Sequence, residues 1–511
     1  MKKLSYQTLA GQGYAGYLLK DAPERVLQFG EGNFLRAFAE DFIDRMNERA
    51  GFAGKVVLVQ PRPQSPASSS LRDALNAQQG LYTLCLRGME NGRAVAHRRV
   101  LSCVSRCLNA AADYDAVMAC AGNPDLRFIL SNTTEAGIAY DPACRLEDRP
   151  AASFPGKLTQ FLYRRYQLFG GQPGRGFWIL PCELTDDNGG ALEACVRRYA
   201  AQWGLGAGFA GWLERENTFC RTLVDRIVTG FPQKEAQALN AENGYEDRAM
   251  DAGELFGFWA IEAPQSLKEE LPFEKAGLPV LVTGDYRPYQ QRKVRILNGA
   301  HTAMALGAYL AGQDTVRGCM EDRVIRGFID RAIYAEILPT LSLPRDELEP
   351  FAAAVEERFQ NPFIDHALLS ISLNSTSKWR ARVLPSLLGY VEKCGELPPC
   401  LTASLAFYIA FYSGSQLTGQ GLSAVRPGGG AYTVQDSRRV LAFFAAHGAD
   451  GPAARAHAVC ANAALWGMDL SAVPGLEAAV ADGLRLIAES GARALMERAQ
   501  ASSSRETGAP L

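Results

Sequence analysis

Close to its start the chain runs an apolar segment, a glycine turn, a helical stretch and a second apolar segment in immediate succession, and few folds open that way. Arg25-Val26-Leu27-Gln28-Phe29 reads as a short buried strand, Gly30-Glu31-Gly32 as a tight turn, and residues 33–46 as a helix. Lys55-Val56-Val57-Leu58-Val59-Gln60 is a second strand, ended by Pro61, since proline lacks a ladder donor and restricts the residue before it. This order is the opening of a doubly wound nucleotide-binding domain. Residues 127–132 and 177–181 add parallel-strand candidates, and 81–87 and 94–104 read as an antiparallel insertion.

After about residue 280 the pattern changes. Alanine- and leucine-rich helical periodicity fills 300–311, 324–336, 351–359, 401–411 and 438–446, and few strand-like runs remain. A chain of 511 residues also exceeds what one core organises. The expected fold is α/β: an extended Rossmann-type N-terminal domain over 1–280, a mostly α-helical C-terminal domain over 281–495, and a flexible tail over 496–511. Pro427-Gly428-Gly429-Gly430 is a surface loop or a lid.

Several function classes are set aside by composition. Lys plus Arg is 53 against 55 Asp plus Glu, a net charge of -2, so no nucleic-acid surface is expected. No apolar run approaches roughly 18 residues, so no membrane span is expected either. Twelve cysteines are scattered without a C-x-x-C pair. With no secretory pattern at Met1-Lys2-Lys3-Leu4, reduced thiols in a cytoplasmic protein are the simplest reading.

Glycine lets a backbone turn sharply and approach a pyrophosphate, and a helix start offers unpaired N–H groups. Phe29, Gly30, Gly32, Asn33 and Phe34 are therefore candidates for the cofactor turn, although position 35 is leucine and the full G-x-G-x-x-G is absent. The second strand ends in Gln60-Pro61-Arg62, without the acid that commonly holds an adenosine ribose. Arg62 faces a 2′-phosphate, stacks on adenine or lies in solvent. Ser131, Asn132 and Thr133 either line the nicotinamide side of the crevice or cap a loop.

Lys293-Val294-Arg295-Ile296-Leu297-Asn298-Gly299-Ala300-His301 carries the chemistry, in a chain with only five histidines. Lysine and histidine transfer protons, and asparagine donates without titrating. In an α-helix the step from 293 to 298 turns about 500° and that from 298 to 301 about 300°, so one face does not hold all three well. Each also has a plain structural reading, as a solvated lysine, a helix-cap asparagine and a packed core histidine.

These segments resemble the polyol-specific long-chain dehydrogenases, the mannitol dehydrogenase family, and within it the uronate branch. Leu27-Gln28-Phe29-Gly30-Glu31-Gly32-Asn33-Phe34-Leu35-Arg36-Ala37 is similar to that branch's N-terminal motif, and Val224-Asp225-Arg226-Ile227 to the family signature, with Thr229 a small departure. Lys293-x4-Asn298-x2-His301, Asn361-Pro362, Asn374-Ser375-Thr376-Ser377-Lys378 and Arg382-Val383-Leu384-Pro385 resemble later blocks, so the likeness spans about 21–490. The resemblance implies an NAD-dependent enzyme acting on a small sugar acid, with no catalytic metal and with the active site in the cleft between the two domains. It implies Lys293 as general acid/base, Asn298 and Asn188 as hydrogen-bond donors to the reacting oxygen, and His301 as an orienting group. Asp225 becomes a candidate for substrate hydroxyls and Lys378 for a carboxylate, with Arg36 and Arg382 as further cations. His366 belongs to the cleft or packs structurally. Mannonate or a neutral polyol as substrate, and a non-enzymatic nucleotide-binding regulator, are the competing readings.

Overall fold

The first apolar run forms β1 (Glu24–Phe29) and the second β2 (Lys55–Gln60), paired in parallel with Leu27 opposite Val57. The computed structural model describes residues 1–63, 66–90, 92–134, 136–414 and 416–501. Two compact units divide the chain, Met1–Tyr286 and Arg287–Leu511. In the first, β3 (Tyr82–Glu90) and β4 (Arg93–Leu101) form the antiparallel insertion anticipated from the sequence. The chain then returns to the main sheet as β5 (Val104–Asn109), β6 (Phe128–Ser131), β7 (Trp178–Pro181) and β8 (Thr218–Phe219). All six strands are parallel, in the order β5-β2-β1-β6-β7-β8. That is the doubly wound arrangement, with its reversal of direction between β1 and β6.

Both faces of the central strands are covered, which is why β1, β2, β6 and β7 carry apolar runs and not alternations. Val26, Val56, Leu58, Phe128 and Leu130 point into one core. Leu27, Phe29, Val57, Val59 and Ile129 point into the other.

The helix expected over 33–46 is broken. It forms α1 (Asn33–Ala37) and α2 (Ala39–Ala50), separated by Phe38 at φ -123°, ψ -80°. Two carbonyls that would accept from the next turn are diverted. Arg36 O lies 2.8 Å from the Tyr82 hydroxyl, and Ala37 O accepts from Arg226 Nη1 at 2.5 Å. The Phe38 ring fills the break against Phe34, Phe42 and Trp259. After α3 (Asn188–Gln202), the unit is completed by β9 (Arg221–Asp225), β10 (Asp251–Glu254), β11 (Phe258–Glu262) and β12 (Val280–Thr283). β10 extends the insertion alongside β3, and β11 pairs with both β9 and β12.

The second unit is mostly helical. Its first stretch runs from α4 (Arg287–Arg292) through a π-helical segment, Lys293–Gly299, into α5 (Ala300–Leu310). It continues through α6 (Arg345–Phe359), α7 (Ser375–Arg382), α8 (Pro399–Phe411) and α9 (Leu476–Ala501). The helix expected over 324–336 is α-helical only at Arg323–Arg331 and π-helical at Ala332–Ile337. Within that π segment Glu336 is fully buried and accepts from the amides of Cys400 and Leu401 at 2.9 Å each, capping α8. α8 is apolar all round because it packs against α5 and α9.

The helical reading missed a small antiparallel sheet, β13 (Gln416–Leu417), β14 (Leu422–Val425) and β15 (Ala431–Val434). The glycine-rich run at 427–430 is the turn joining β14 to β15, with Gly428 and Gly429 at φ +95° and +100°. Of the expected tail, residues 496–501 are helical in α9, and 502–511 lie outside the described residues. None of the described helices is long and apolar enough to cross a membrane, and all twelve cysteines are free.

Candidate active site

Gly30 follows β1 where the sheet order reverses. Its φ is +115°, and a Cβ there would lie 2.8 Å from Asn132 O, so glycine alone fits without a shift. Its amide donates to Val59 O at 2.9 Å, tying the turn to β2. Gly32 is exposed, nothing lies within 4 Å of where its Cβ would be, and no side chain caps α1 behind it. A close-approach glycine, an open glycine and an uncapped helix start fit the pyrophosphate of a dinucleotide.

The other turn candidates are placed differently. Phe29 turns its ring into the core against Phe154, 5.3 Å between centroids, and leaves only backbone at the turn. Phe34 stacks on Phe38, Asn33 accepts from Arg36 Nη2 at 2.8 Å, and Arg62 is exposed. Gln60 is buried and donates from Nε2 to Glu31 Oε1 at 3.1 Å.

Across the switch point, Ser131 and Thr133 gather on Glu183, a residue that sequence reasoning passed over. Glu183 is buried and accepts from Ser131 Oγ, the Thr133 amide and Thr133 Oγ1, each at 3.0 Å. Burial raises its carboxyl above the ordinary glutamate range, against the pull of these donors. Asn132 Nδ2 donates to Cys182 O at 2.6 Å. These polar side chains hold the β6 and β7 ends together. The signal in the sequence was an acid two residues past a strand end, but nothing there pairs it with a serine 52 residues earlier.

Three first-unit expectations need correction or refinement. Asn188 is 1% exposed, and its Nδ2 donates to Pro181 O, Glu183 O and Thr222 O at 3.1, 3.1 and 3.0 Å. Its Oδ1 accepts from the amides of Gly189 and Thr222 at 2.8 and 3.0 Å. With both amide hydrogens directed at backbone, it fastens β7 to β9 and has no donor left for a reacting oxygen. Arg36 is likewise buried, donating to Ala249 O at 2.5 Å and Glu31 O at 3.1 Å and lying 3.4 Å from Asp251 Oδ2. It locks the turn to β10 and is not open to a ligand carboxylate. Burial pushes Asp251 up to about 7 despite this arginine. Asp225 is buried at the end of β9, while Arg226 beside it forms an internal ion pair, 3.0 Å from Asp41.

In the second unit the π segment resolves the mismatch in the lysine–asparagine–histidine spacing. A π-helix closes i→i+5 hydrogen bonds, so Lys293 and Asn298, five apart, stand one turn above each other on a single face. An α-helix would separate them by about 140°. α5 resumes at Ala300, and His301 follows three residues after Asn298. Gly299 permits this packing, because a Cβ there would meet Arg382 O at 3.1 Å. Lys293 and Asn298 are both half-buried.

His301 is buried, stacked on Phe359 at 4.1 Å and edge-on to His366 at 5.2 Å. Its Nε2 has no hydrogen-bond partner among the described residues. Burial holds its pKa well below the ordinary 6.5, and His366, Arg358, Arg382 and Lys378 push it the same way. The ring is therefore neutral and sits among cations. His366 is half-buried and also lowered, by burial and then Lys378. Lys378 donates to Ile371 O at 2.9 Å, and burial followed by Arg382 lowers its pKa. Four residues singled out in the sequence, His301, His366, Lys378 and Arg382, thus meet electrostatically in one place.

The family comparisons agree with this architecture. Residues 24–275 match the mannitol dehydrogenase Rossmann domain and 285–488 the mannitol dehydrogenase C-terminal domain. Altronate oxidoreductase of Klebsiella pneumoniae is 46% identical over 500 residues, covering 96% of this chain and 99% of that protein. Altronate oxidoreductase of Pectobacterium atrosepticum is 46% identical over 498 residues, again covering 96% and 99%. In fold, the chain is similar to a substrate-free D-sorbitol dehydrogenase, with a TM-score of 0.81 and 23% identity over 96% of this chain and 100% of that one. It is also similar to Pseudomonas fluorescens mannitol 2-dehydrogenase in a ternary complex with NAD and D-mannitol, with a TM-score of 0.70 and 22% identity over 97% and 99%. On two matched domains, near-complete relatives and a shared fold, the chain belongs to the mannitol dehydrogenase family.

Proposed function

We propose that this chain is an altronate oxidoreductase, interconverting D-altronate and D-tagaturonate with NAD as cofactor. It would act in the cytoplasm, as the reductase in hexuronate (galacturonate) breakdown. The observation that carries the reading is 46% identity, across nearly the whole of both chains, to relatives of that name. The cations around His301 support it, because a sugar acid brings a carboxylate that a neutral polyol lacks. NAD follows from the resemblance to the uronate branch.

When bound, the nicotinamide cofactor supplies or accepts the hydride. The chain manages one proton and the charge on oxygen. Lys293 as a neutral amine takes the alcohol proton during oxidation, and as an ammonium it returns a proton to the carbonyl oxygen. Asn298, one π turn away, donates to the same oxygen as charge develops there. The unpartnered Nε2 of His301 takes a substrate hydroxyl, and a neutral imidazole offers one donor and one acceptor nitrogen for that task. Lys378 and Arg382 hold the carboxylate, with Arg382 able to grip it bidentately. Asp225 is the first-unit candidate for a substrate hydroxyl.

The test is NADH consumption by the purified protein with tagaturonate, fructuronate and fructose. Tagaturonate is expected to be reduced with the highest kcat/KM. Turnover of fructuronate alone would refute the substrate, and equal or faster turnover with NADPH would refute the cofactor.

A further inference from the structure

The end of β2 lacks the carboxylate that in NAD-binding doubly wound folds commonly accepts from the adenosine ribose and repels a 2′-phosphate. We propose that Glu31, from the glycine turn, supplies that carboxylate and is the residue that sets the preference for NAD over NADP. The inference rests on the cofactor reading above and adds the group responsible.

Three observations carry it. The Glu31 carboxylate is drawn to the end of β2, where Oε1 accepts from Gln60 Nε2 at 3.1 Å. Gln60 is itself buried and lies 3.5 Å from Asn109 Nδ2, which also donates to Arg62 O at 3.0 Å, so the strand end is fixed. The backbone on either side of Glu31 is fixed too. Gly30 N donates to Val59 O at 2.9 Å, and Glu31 O accepts from the buried Arg36 Nε at 3.1 Å. Among the described residues Glu31 Oε2 has no hydrogen-bond partner, and Glu31 as a residue is half-exposed, which leaves this oxygen to accept from a hydroxyl. A sugar hydroxyl donates to that oxygen, whereas a phosphate in its place would set two anions side by side. Arg62, just past the strand end, is exposed, and its carbonyl accepts from Asn109 Nδ2 at 3.0 Å.

The experiment is calorimetric titration of NADH and NADPH into wild type, Glu31→Gln and Arg62→Ala, with kcat/KM for both cofactors measured alongside. Glu31→Gln keeps the shape and the Gln60 contact while removing the charge. We expect the NADPH-to-NADH affinity ratio to rise about tenfold or more in Glu31→Gln, the order for removing a like charge beside a phosphate. An unchanged ratio in a variant that still binds NADH would overturn the assignment while leaving the NAD reading intact. A ratio that moves with Arg62→Ala and not with Glu31→Gln would overturn it in favour of the arginine. Wild type binding NADPH more tightly than NADH would refute the NAD reading itself.

Discussion

Replacing Asn188 with alanine separates a fastener from a catalytic donor. The side chain is 1% exposed, and its hydrogen bonds run to Pro181, Glu183, Gly189 and Thr222. Three acceptors share two N–H bonds and two amides donate to the oxygen, so the set amounts to about four full hydrogen bonds. At ~1 kcal/mol each that is about 4 kcal/mol, a large part of the ~5–15 kcal/mol that holds a typical domain. With a urea slope of ~2–3 kcal/mol per M, the first unfolding transition should move down by about 1.5 M. Tryptophan fluorescence during urea titration reads this directly, and the folded fraction at low urea should keep substantial turnover. A midpoint that stays put while kcat drops ~10²-fold or more, the signature of a lost oxyanion donor, would contradict the fastening role.

Two further substitutions follow from the same geometry. Gly30→Ala places a methyl 2.8 Å from Asn132 O at a φ of +115°, and should weaken NADH binding at least about tenfold as the turn shifts. An unchanged Kd by calorimetry would count against the pyrophosphate site. His301 is neutral when folded, with its pKa well below 6.5, so the unfolded chain takes up a proton below pH 6.5 that the native state refuses. Its stabilising contribution is intact above that pH and is lost as pH falls toward the folded pKa. His301→Asn should therefore lose Tm less steeply than wild type below pH 6.5, and parallel Tm curves would contradict the buried neutral ring.

Four strands of the main sheet, β1, β2, β6 and β7, were legible because they carry apolar runs between turns, as in Val56–Val59 or Phe128–Leu130, and such runs need no distant partner to be recognised; the edge strands β5 and β8, polar in part and short, were not. The break at Phe38 was not, since it depends on Tyr82 and Arg226 arriving 46 and 189 residues along to take two carbonyls. Arg36 and Asn188 misled for the same reason. A charged or amide side chain in a sequence shows its donors but not whether Ala249, Pro181 or Thr222 already accepts them. The lysine–asparagine–histidine motif was visible by spacing, yet its common face comes from a π segment whose i→i+5 register no residue type announces. Glu31 was overlooked because the search for a ribose acid looks at the end of the second strand, and this carboxylate reaches that place from the turn after the first.

Proton transfer in the proposed reaction rests on one amine, that of Lys293. The measurement that tests it most directly is single-turnover reduction of tagaturonate by Lys293→Ala, with NADH affinity determined on the same preparation. Loss of a general acid should slow the reaction by about 10²- to 10⁴-fold while the Kd for NADH stays at its wild-type value. A rate within about tenfold of wild type would mean that another group carries the proton.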